Sequence, residues 1–310
     1  MKNDPKILFV YNPRAGKERI RSNLLDMIDT LSMAGYEVTA CPTRGIGHAV
    51  HAVLEREDIF EMVVCAGGDG TLDEVVCGMM GSDKKIPIGY IPAGTTNDFA
   101  VSLGIPSVME KAAKIAVRGK NFRCDVGVMN QAYFVYTAAF GLFTEVSYKT
   151  KQDIKNMLGH AAYILEGIKQ LTDVRSYHVK AVYKDGVIDE DCIFGMVTNS
   201  VSIGGFKEIT GKNVKLNDGL FEVTLIKTPR NLIEMSAIVT GLLNRDLVTD
   251  MMYCFKTDHL IVDTGEEVAW TRDGEYGGAH THVEIRNIRE AITIRTPEYA
   301  EITLTEERSQ

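Results

Sequence analysis

The stretch "EMVVCAGGDGTLDEVVCGMM", residues 61–80, decides how this chain is read. Its first half is an apolar, valine-containing run that predicts a buried strand, and its second half predicts an amphipathic helix from Leu72 to Met80. Between them stand Gly67, Gly68 and Gly70, three glycines in four residues. A glycine-rich turn between a strand and a helix is the setting in which backbone N–H groups cradle a phosphate. Asp69 lies in the same turn, and a carboxylate repels phosphate unless a cation stands between them. Thr71 and Glu74 also match a capping box, so Thr71 is equally readable as a helix cap. Capping does not account for the glycines, which suit a backbone that approaches something closely.

The same alternation extends on both sides. "KILFVYN" (6–12), "YEVTAC" (36–41) and "IPIGYIP" (86–92) read as strands. Residues 17–34 read as a helix, with Leu24, Leu25, Ile28 and Leu31 at helical spacing and Gly35 as its stop. "GHAVHAVLERE" (47–57) and residues 107–118 supply two more helices. Strand–helix alternation predicts a parallel sheet covered on both faces, with ligands at the carboxyl ends of its strands. Two further loops fall at those ends, "NPRAG" (12–16) and "PAGTTNDFA" (92–100). In the first, Arg14 and Lys17 suit phosphate, although an ordinary turn with surface charges reads the same way.

Near residue 121 the texture changes. "FRCDVGVMNQAYFVYTAAFG" (122–141) reads as two strands around a turn, and Asp185-Gly186 marks a hairpin. "LFEVTLIK", "HLIVDTG", "EVAWTRDGEY", "THVEIRN" and "AITIRTP" continue a mostly antiparallel β pattern, interrupted by helices at about 152–171 and 230–244.

With 310 residues, 45% of them hydrophobic, the chain can bury a sizeable core in about two domains. Its net charge of −8 and pI near 5.5 argue against bulk electrostatic binding to nucleic acid, but leave room for a local basic patch against anionic lipid. Cys41, Cys65, Cys77, Cys124, Cys192 and Cys254 are scattered without a CxxC, which reads as reduced, largely buried thiols of a cytoplasmic protein. No apolar run has the length of a membrane span, so membrane contact is expected to be peripheral.

Several downstream motifs carry candidate chemistry. In "TRDGEY" (271–276), Asp273 and Glu275 would point to one face of an extended strand, one toward a metal and one as a base. The plainer reading is a polar turn, which Asp-Gly favours. "KLNDGLFEV" (215–223) holds Asp218-Gly219, a turn or a set of oxygen ligands for a hard cation. His280 and His282 lack a third zinc ligand, Ser200 and Ser202 lack a nucleophile elbow, and Trp270 reads as packing. The helix at 152–171, preceded by Lys149 and Lys151 and containing Lys155, is either a membrane-surface element or a helix packed on the β domain.

Together, "NPRAG", "GGDGTLDEV", "PAGTTNDFA", "VTNSVSIGGF", "NDGLFEV" and "DGE" occur in the order of the bacterial diacylglycerol kinase and lipid kinase family, related to sphingosine kinases, and the likeness covers nearly the whole chain. The GGDG loop alone is shared with NAD kinases and phosphofructokinases. The resemblance implies an α/β, Rossmann-like N-terminal domain with an NAD kinase/phosphofructokinase-like parallel sheet, plus a C-terminal antiparallel β-sandwich for lipid, with nucleotide in the cleft between them. It implies domains of 1–121 plus about 297–310 and of 122–296. It implies ATP held by Asn12, Pro13, Arg14, Ala15, Gly16, Thr43, Gly67, Gly68, Asp69, Gly70, Thr71 and Thr95. Glu275 is implied as the general base, with Asp69, Asp98 and Asp273 helping to hold Mg²⁺, and a structural magnesium at Asp218 with the carbonyls of Lys215 and Leu220. The expected reaction is transfer of the γ-phosphate of ATP to a lipid hydroxyl, foremost that of diacylglycerol to give phosphatidic acid, at the inner membrane surface. A homodimer is compatible with it. The alternatives are an NAD kinase and a catalytically silent nucleotide- or lipid-binding regulatory protein. Asp73 stands where asparagine is usual in the family, and Val101 where arginine is frequent.

Overall fold

The computed structural model describes residues 4–16, 19–56, 58–142, 144, 175–203, 206–207, 214–244 and 249–298. The helix expected at 152–171 and the two glycines of "SIGGF" lie outside them. The chain divides into two compact units, one running to Val126 and resuming at Arg289, the other from Gly127 to Ile288.

The first unit is α/β. Strands β1 (Lys6–Tyr11), β2 (Glu37–Pro42), β3 (Met62–Gly67) and β4 (Ile88–Pro92) are all parallel, in the order β2-β1-β3-β4. β3 and β4 are apolar and buried throughout and β1 is buried in its middle, as strands covered on both faces must be, whereas the edge strand β2 is largely exposed. Helices α1 (Arg19–Met33), α2 (His48–Leu54), α3 (Asp69–Gly81), α4 (Asp98–Ser102) and α5 (Met109–Arg118) follow the strands. In α5, Met109, Ala112, Ala113, Ala116 and Val117 form one buried stripe at helical spacing. A side chain at Gly89 of β4 would meet Ala116 Cβ at 2.6 Å, so glycine and alanine let helix and strand pack closely. Because β1 has β2 on one side and β3 on the other, the order of the strands reverses there, the place where open α/β sheets bind ligands.

The second unit is built on a large antiparallel sheet. Strands β5 (Lys120–Met129), β6 (Ala132–Phe134) and β7 (Thr137–Gly141) replace the two strands expected over 122–141: Asn130, with φ of 56°, makes the expected turn, and a second break at Val135 and Tyr136, whose N–H groups go to the Asp273 carboxylate, separates β6 from β7. Strands β8 (Tyr177–Tyr183) and β9 (Gly186–Thr198) form the expected hairpin, but its turn residues are Lys184 and Asp185, with Gly186 already paired to Tyr183. A short β10 (Ser202–Ile203) and β11 (Phe206–Lys207) make a separate two-stranded piece. Strands β12 (Phe221–Lys227), β13 (Met252–Thr257), β14 (His259–Arg272) and β15 (Glu275–Thr296) complete it, in the order β13-β12-β9-β7-β14-β15, and helix α6 (Leu232–Asn244) follows β12. Trp270 is 1% exposed and its ring lies 4.8 Å from that of Phe140, so it is packing. Cys65, Cys124 and Cys192 are buried free thiols, whereas Cys254 on β13 is exposed, against the expectation for that position.

Candidate active site

The three glycine-bearing loops of the first unit are tied to one another by backbone. Asn12 N–H donates to Ala66 O (2.9 Å), Thr43 N–H to Tyr11 O (2.8 Å) and Ala93 N–H to Gly67 O (2.7 Å). Each loop thus leaves its strand latched to its neighbour. Gly16 has φ of 62°, and a Cβ there would stand 2.3 Å from Ala93 O. Gly68 and Gly94 face each other so closely that a Cβ on Gly94 would meet Gly68 Cα at 2.7 Å. Asn97, with φ of 53°, closes the third loop: its Oδ1 accepts Gly94 N–H (2.8 Å) and its Nδ2 donates to Gly94 O (3.0 Å).

Gly70 is different. It is exposed, its φ is not positive, and a Cβ there would meet nothing within 4 Å. The protein's own packing does not require glycine at 70, so the open space is room for something outside the chain. Gly70 lies in the first turn of α3, whose start has no side-chain cap. An uncapped helix start offers N–H groups and positive potential to an anion.

This placement corrects two expectations. Helix α3 begins at Asp69 rather than Leu72, so Thr71 is inside the helix, with its N–H on Gly68 O at 3.0 Å. Thr71 and Glu74 form no capping box; the Glu74 carboxylate instead accepts the N–H groups of Gly47 (2.8 Å) and Ala49 (2.9 Å) and holds the start of α2.

Asp69 points toward the third loop. Its Oδ2 accepts Thr96 Oγ1–H (3.3 Å) and Asp98 N–H (3.3 Å), while its Oδ1 is buried with no hydrogen-bond partner. Burial, and then the nearby Asp98 carboxylate, push the Asp69 carboxyl up to about 6, against the Asp98, Phe99 and Thr96 donors that favour its charge. A carboxylate oxygen left bare beside a second acid is stabilised by a cation, and the pair fits magnesium, which takes one or two carboxylates and fills its shell with water and phosphate oxygen. Thr96, Asn97 and Tyr90, whose hydroxyl donates to Gly67 O at 3.4 Å, were not singled out from the sequence. Thr95, which was, is exposed on the same loop, as is Arg14 on the first. Asp73 lies one turn beyond Asp69 and accepts the Cys77 thiol at 3.8 Å; Val101 is half-buried in α4.

In the second unit, Asp273 and Gly274 form a two-residue turn between β14 and β15, with φ of 48° and 82°. Positive φ at both positions is the hairpin turn that Asp-Gly favours. The extended strand that would have put Asp273 and Glu275 on one face is therefore absent, and the plainer turn reading holds. Asp273 is buried, and its carboxylate accepts the N–H groups of Val135 (2.6 Å), Tyr136 (2.9 Å) and Thr137 (2.9 Å). It anchors the turn to the segment entering β7 instead of reaching for a metal. Glu275, the first residue of β15, is exposed.

Asp218 also closes a turn, its Oδ1 accepting Leu220 N–H at 3.0 Å. Its Oδ2 lies 3.7 Å from Lys256 Nζ, and that ammonium lies 2.8 Å from Glu222 Oε1, an ion pair without hydrogen-bond alignment. A lysine cation stands 3.7 Å from this carboxylate, where the family likeness expects a structural magnesium with the carbonyls of Lys215 and Leu220. His282 pairs with Asp263 (2.6 Å) and His280 with Gly277 O (3.0 Å), and among the described residues no group of three His, Cys, Asp or Glu side chains could hold a metal. Ser200 Oγ is bonded to Ser202 O.

Comparison with known proteins shows which family the chain resembles. A model of the diacylglycerol kinase catalytic domain matches residues 6–129. The diacylglycerol kinase of Bacillus subtilis is 35% identical over 274 residues, covering 87% of this chain and 89% of that protein. That of Staphylococcus carnosus is 31% identical over 93% of this chain and 94% of its own. A solved diacylglycerol kinase of Bacillus anthracis shares the fold, with a TM-score of 0.76 at 22% identity over 96% of this chain and 99% of that one. Another solved chain from that organism reaches 0.81 at 25% identity, over 96% and 97%. The chain belongs to the diacylglycerol kinase family.

Proposed function

We propose that this protein is an ATP-dependent lipid kinase that transfers the γ-phosphate to the free hydroxyl of diacylglycerol, giving phosphatidic acid. The observation that carries the reading is the half-buried Asp69, whose buried Oδ1 is unpartnered, at the uncapped glycine-built start of α3. The parallel unit acts as a Rossmann-like nucleotide-binding domain and the antiparallel unit as a β-sandwich lipid domain. The protein works in the cytoplasm, peripherally at the inner membrane surface; among the described residues no helix is long and apolar enough to cross a membrane. A homodimer is compatible with this chemistry and is not required by it.

Phosphoryl transfer asks the protein for position and charge more than for covalent chemistry. Backbone of Asn12 through Gly16 and of Gly67 through Thr71 lines the polyphosphate, with Arg14, Thr43 and Thr95 as side-chain contacts. Asp69 and Asp98 would hold the cation. Asp69 is mostly ionised at pH 7, since its carboxyl titrates near 6. Magnesium, when bound with the nucleotide, supplies the positive charge that offsets the transferring phosphate. Glu275 accepts the proton of the lipid hydroxyl, and Asp273 positions it through the turn they share. The named relatives cover most of the chain and argue against the NAD kinase and the silent module.

The test is transfer of label from γ-labelled ATP in a mixture of extracted lipids and NAD. Label in phosphatidic acid is expected. Label in NAD, or in nothing, would overturn the assignment.

A further inference from the structure

Helix α6 differs from the other helices among the described residues. Its thirteen residues, Leu232–Asn244, include one ionisable side chain, Glu234. That carboxylate is spent at the helix start, where Oε2 accepts Arg230 N–H (2.6 Å) while Glu234 N–H donates to Asn231 Oδ1 (2.9 Å). The inner face seats Ile238 on Ile193, Ile226 and Met252, with Met235 buried beside it. The outer face begins with Leu232 and Ile233, which are 70% and 81% exposed, and continues through exposed Ser236, Ala237 and Thr240. No charge interrupts it. By contrast Leu25, 75% exposed on α1, stands between Arg21 and Asp29 at helical spacing, an ordinary apolar residue on a charged surface. Exposed Arg230 flanks the apolar pair of α6.

We propose that this face of α6 is the surface by which the protein docks on a lipid bilayer, with Leu232 and Ile233 entering the acyl region and the Arg230 guanidinium staying among the lipid phosphates. The inference rests on the lipid-kinase reading, because a diacylglycerol lies in a bilayer and the enzyme must meet it there. The chain's charge says how. At −8 overall, the protein as a whole is repelled by an anionic surface, so bulk electrostatics do not favour contact, whereas the exposed apolar pair of α6 does. A helix of this length cannot span, and an uncharged outer stripe with an arginine at its end suits an element lying in the interface.

The test is co-sedimentation with vesicles of mixed phosphatidylcholine and phosphatidylglycerol, comparing wild type with Leu232→Ser/Ile233→Ser. Both residues are exposed, so the double variant is expected to fold. Its vesicle partitioning should fall roughly a hundredfold, from the loss of two inserted aliphatic side chains. Wild-type partitioning should change little when salt is raised. Transfer to a short-chain diacylglycerol dispersed in water should be unchanged in the variant. A single Ile233→Trp should shift its emission to the blue on vesicles, against the fixed background of buried Trp270. Equal vesicle binding by wild type and double variant, or binding that salt abolishes, would overturn the proposal. So would unshifted emission from the Ile233→Trp variant, or serine substitutions that only dissociate an oligomer, which would make the face a contact with a second copy. No transfer to any lipid with vesicle binding still dependent on Leu232 and Ile233 would instead overturn the kinase reading and leave the docking surface standing.

Discussion

Asp69 carries the central tension of the site, a negative group at a phosphate loop. Its raised carboxyl makes a stability prediction with a defined sign. The folded protein holds the Asp69 proton more tightly than the unfolded chain, so wild type loses stability as pH rises from about 4 through about 6. Asp69→Asn never ionises and escapes that loss. In EDTA, urea melts at pH 8 should show the variant more stable by about 3 kcal/mol, with the difference vanishing below about pH 4. A difference independent of pH would contradict the buried-charge explanation. The anomaly of Asp69 was visible in the sequence, because an acid among three glycines is chemically odd. Its partner Thr96 was not, since that contact depends on two loops 27 residues apart coming together. Asp273 carried two readings, a strand face and a polar turn; the two-residue repeat of a strand applies only to extended backbone, and Asp-Gly forms the turn. Removing its carboxylate by Asp273→Ala would leave three buried N–H groups unsatisfied, at about 1–3 kcal/mol for each. Lower melting stability and a fall in kcat with KM for ATP unchanged are expected; unaltered stability would show that the three bonds contribute nothing net.

The elements explain why the three loops act as one. Each strand end of the parallel unit is hydrogen-bonded to the next, and glycines stand where a side chain would force the loops apart. Gly94→Ala puts a Cβ 2.7 Å from Gly68 Cα and 2.8 Å from Asn97 Oδ1, so both thermal stability and ATP affinity should fall, the latter about tenfold or more. Gly70→Ala meets nothing in the protein and, as a helix position, should keep or slightly raise the melting temperature while weakening ATP binding. Calorimetry on the two variants separates packing from ligand approach; an unaffected ATP affinity in Gly70→Ala would show that the open space is not the nucleotide's. Hydrophobic periodicity made these strands and helices legible. The false capping box shows its limit. Thr71 and Glu74 have the right spacing, but Glu74's partners are 27 and 25 residues back in the chain, where no local pattern reveals them.

On the scale of the whole molecule, alternation of strand and helix signals foretold the parallel unit, and the shift to short strand signals foretold the antiparallel sheet. The point of division was less legible because β5 and β15 each run unbroken from one unit into the other, so no turn or linker marks the passage. The role of Glu275 came from family likeness and not from its spacing, and the structure shows it as an exposed residue after a rigid turn. The central catalytic claim is that Glu275 serves as the general base of the phosphoryl transfer. Its most direct test is the rate of γ-phosphate transfer from ATP to diacylglycerol by Glu275→Gln. The expected result is a loss of about a thousandfold in kcat, in the range for a removed general base. Turnover within a few-fold of wild type, by a variant folded as the wild type is, would contradict it.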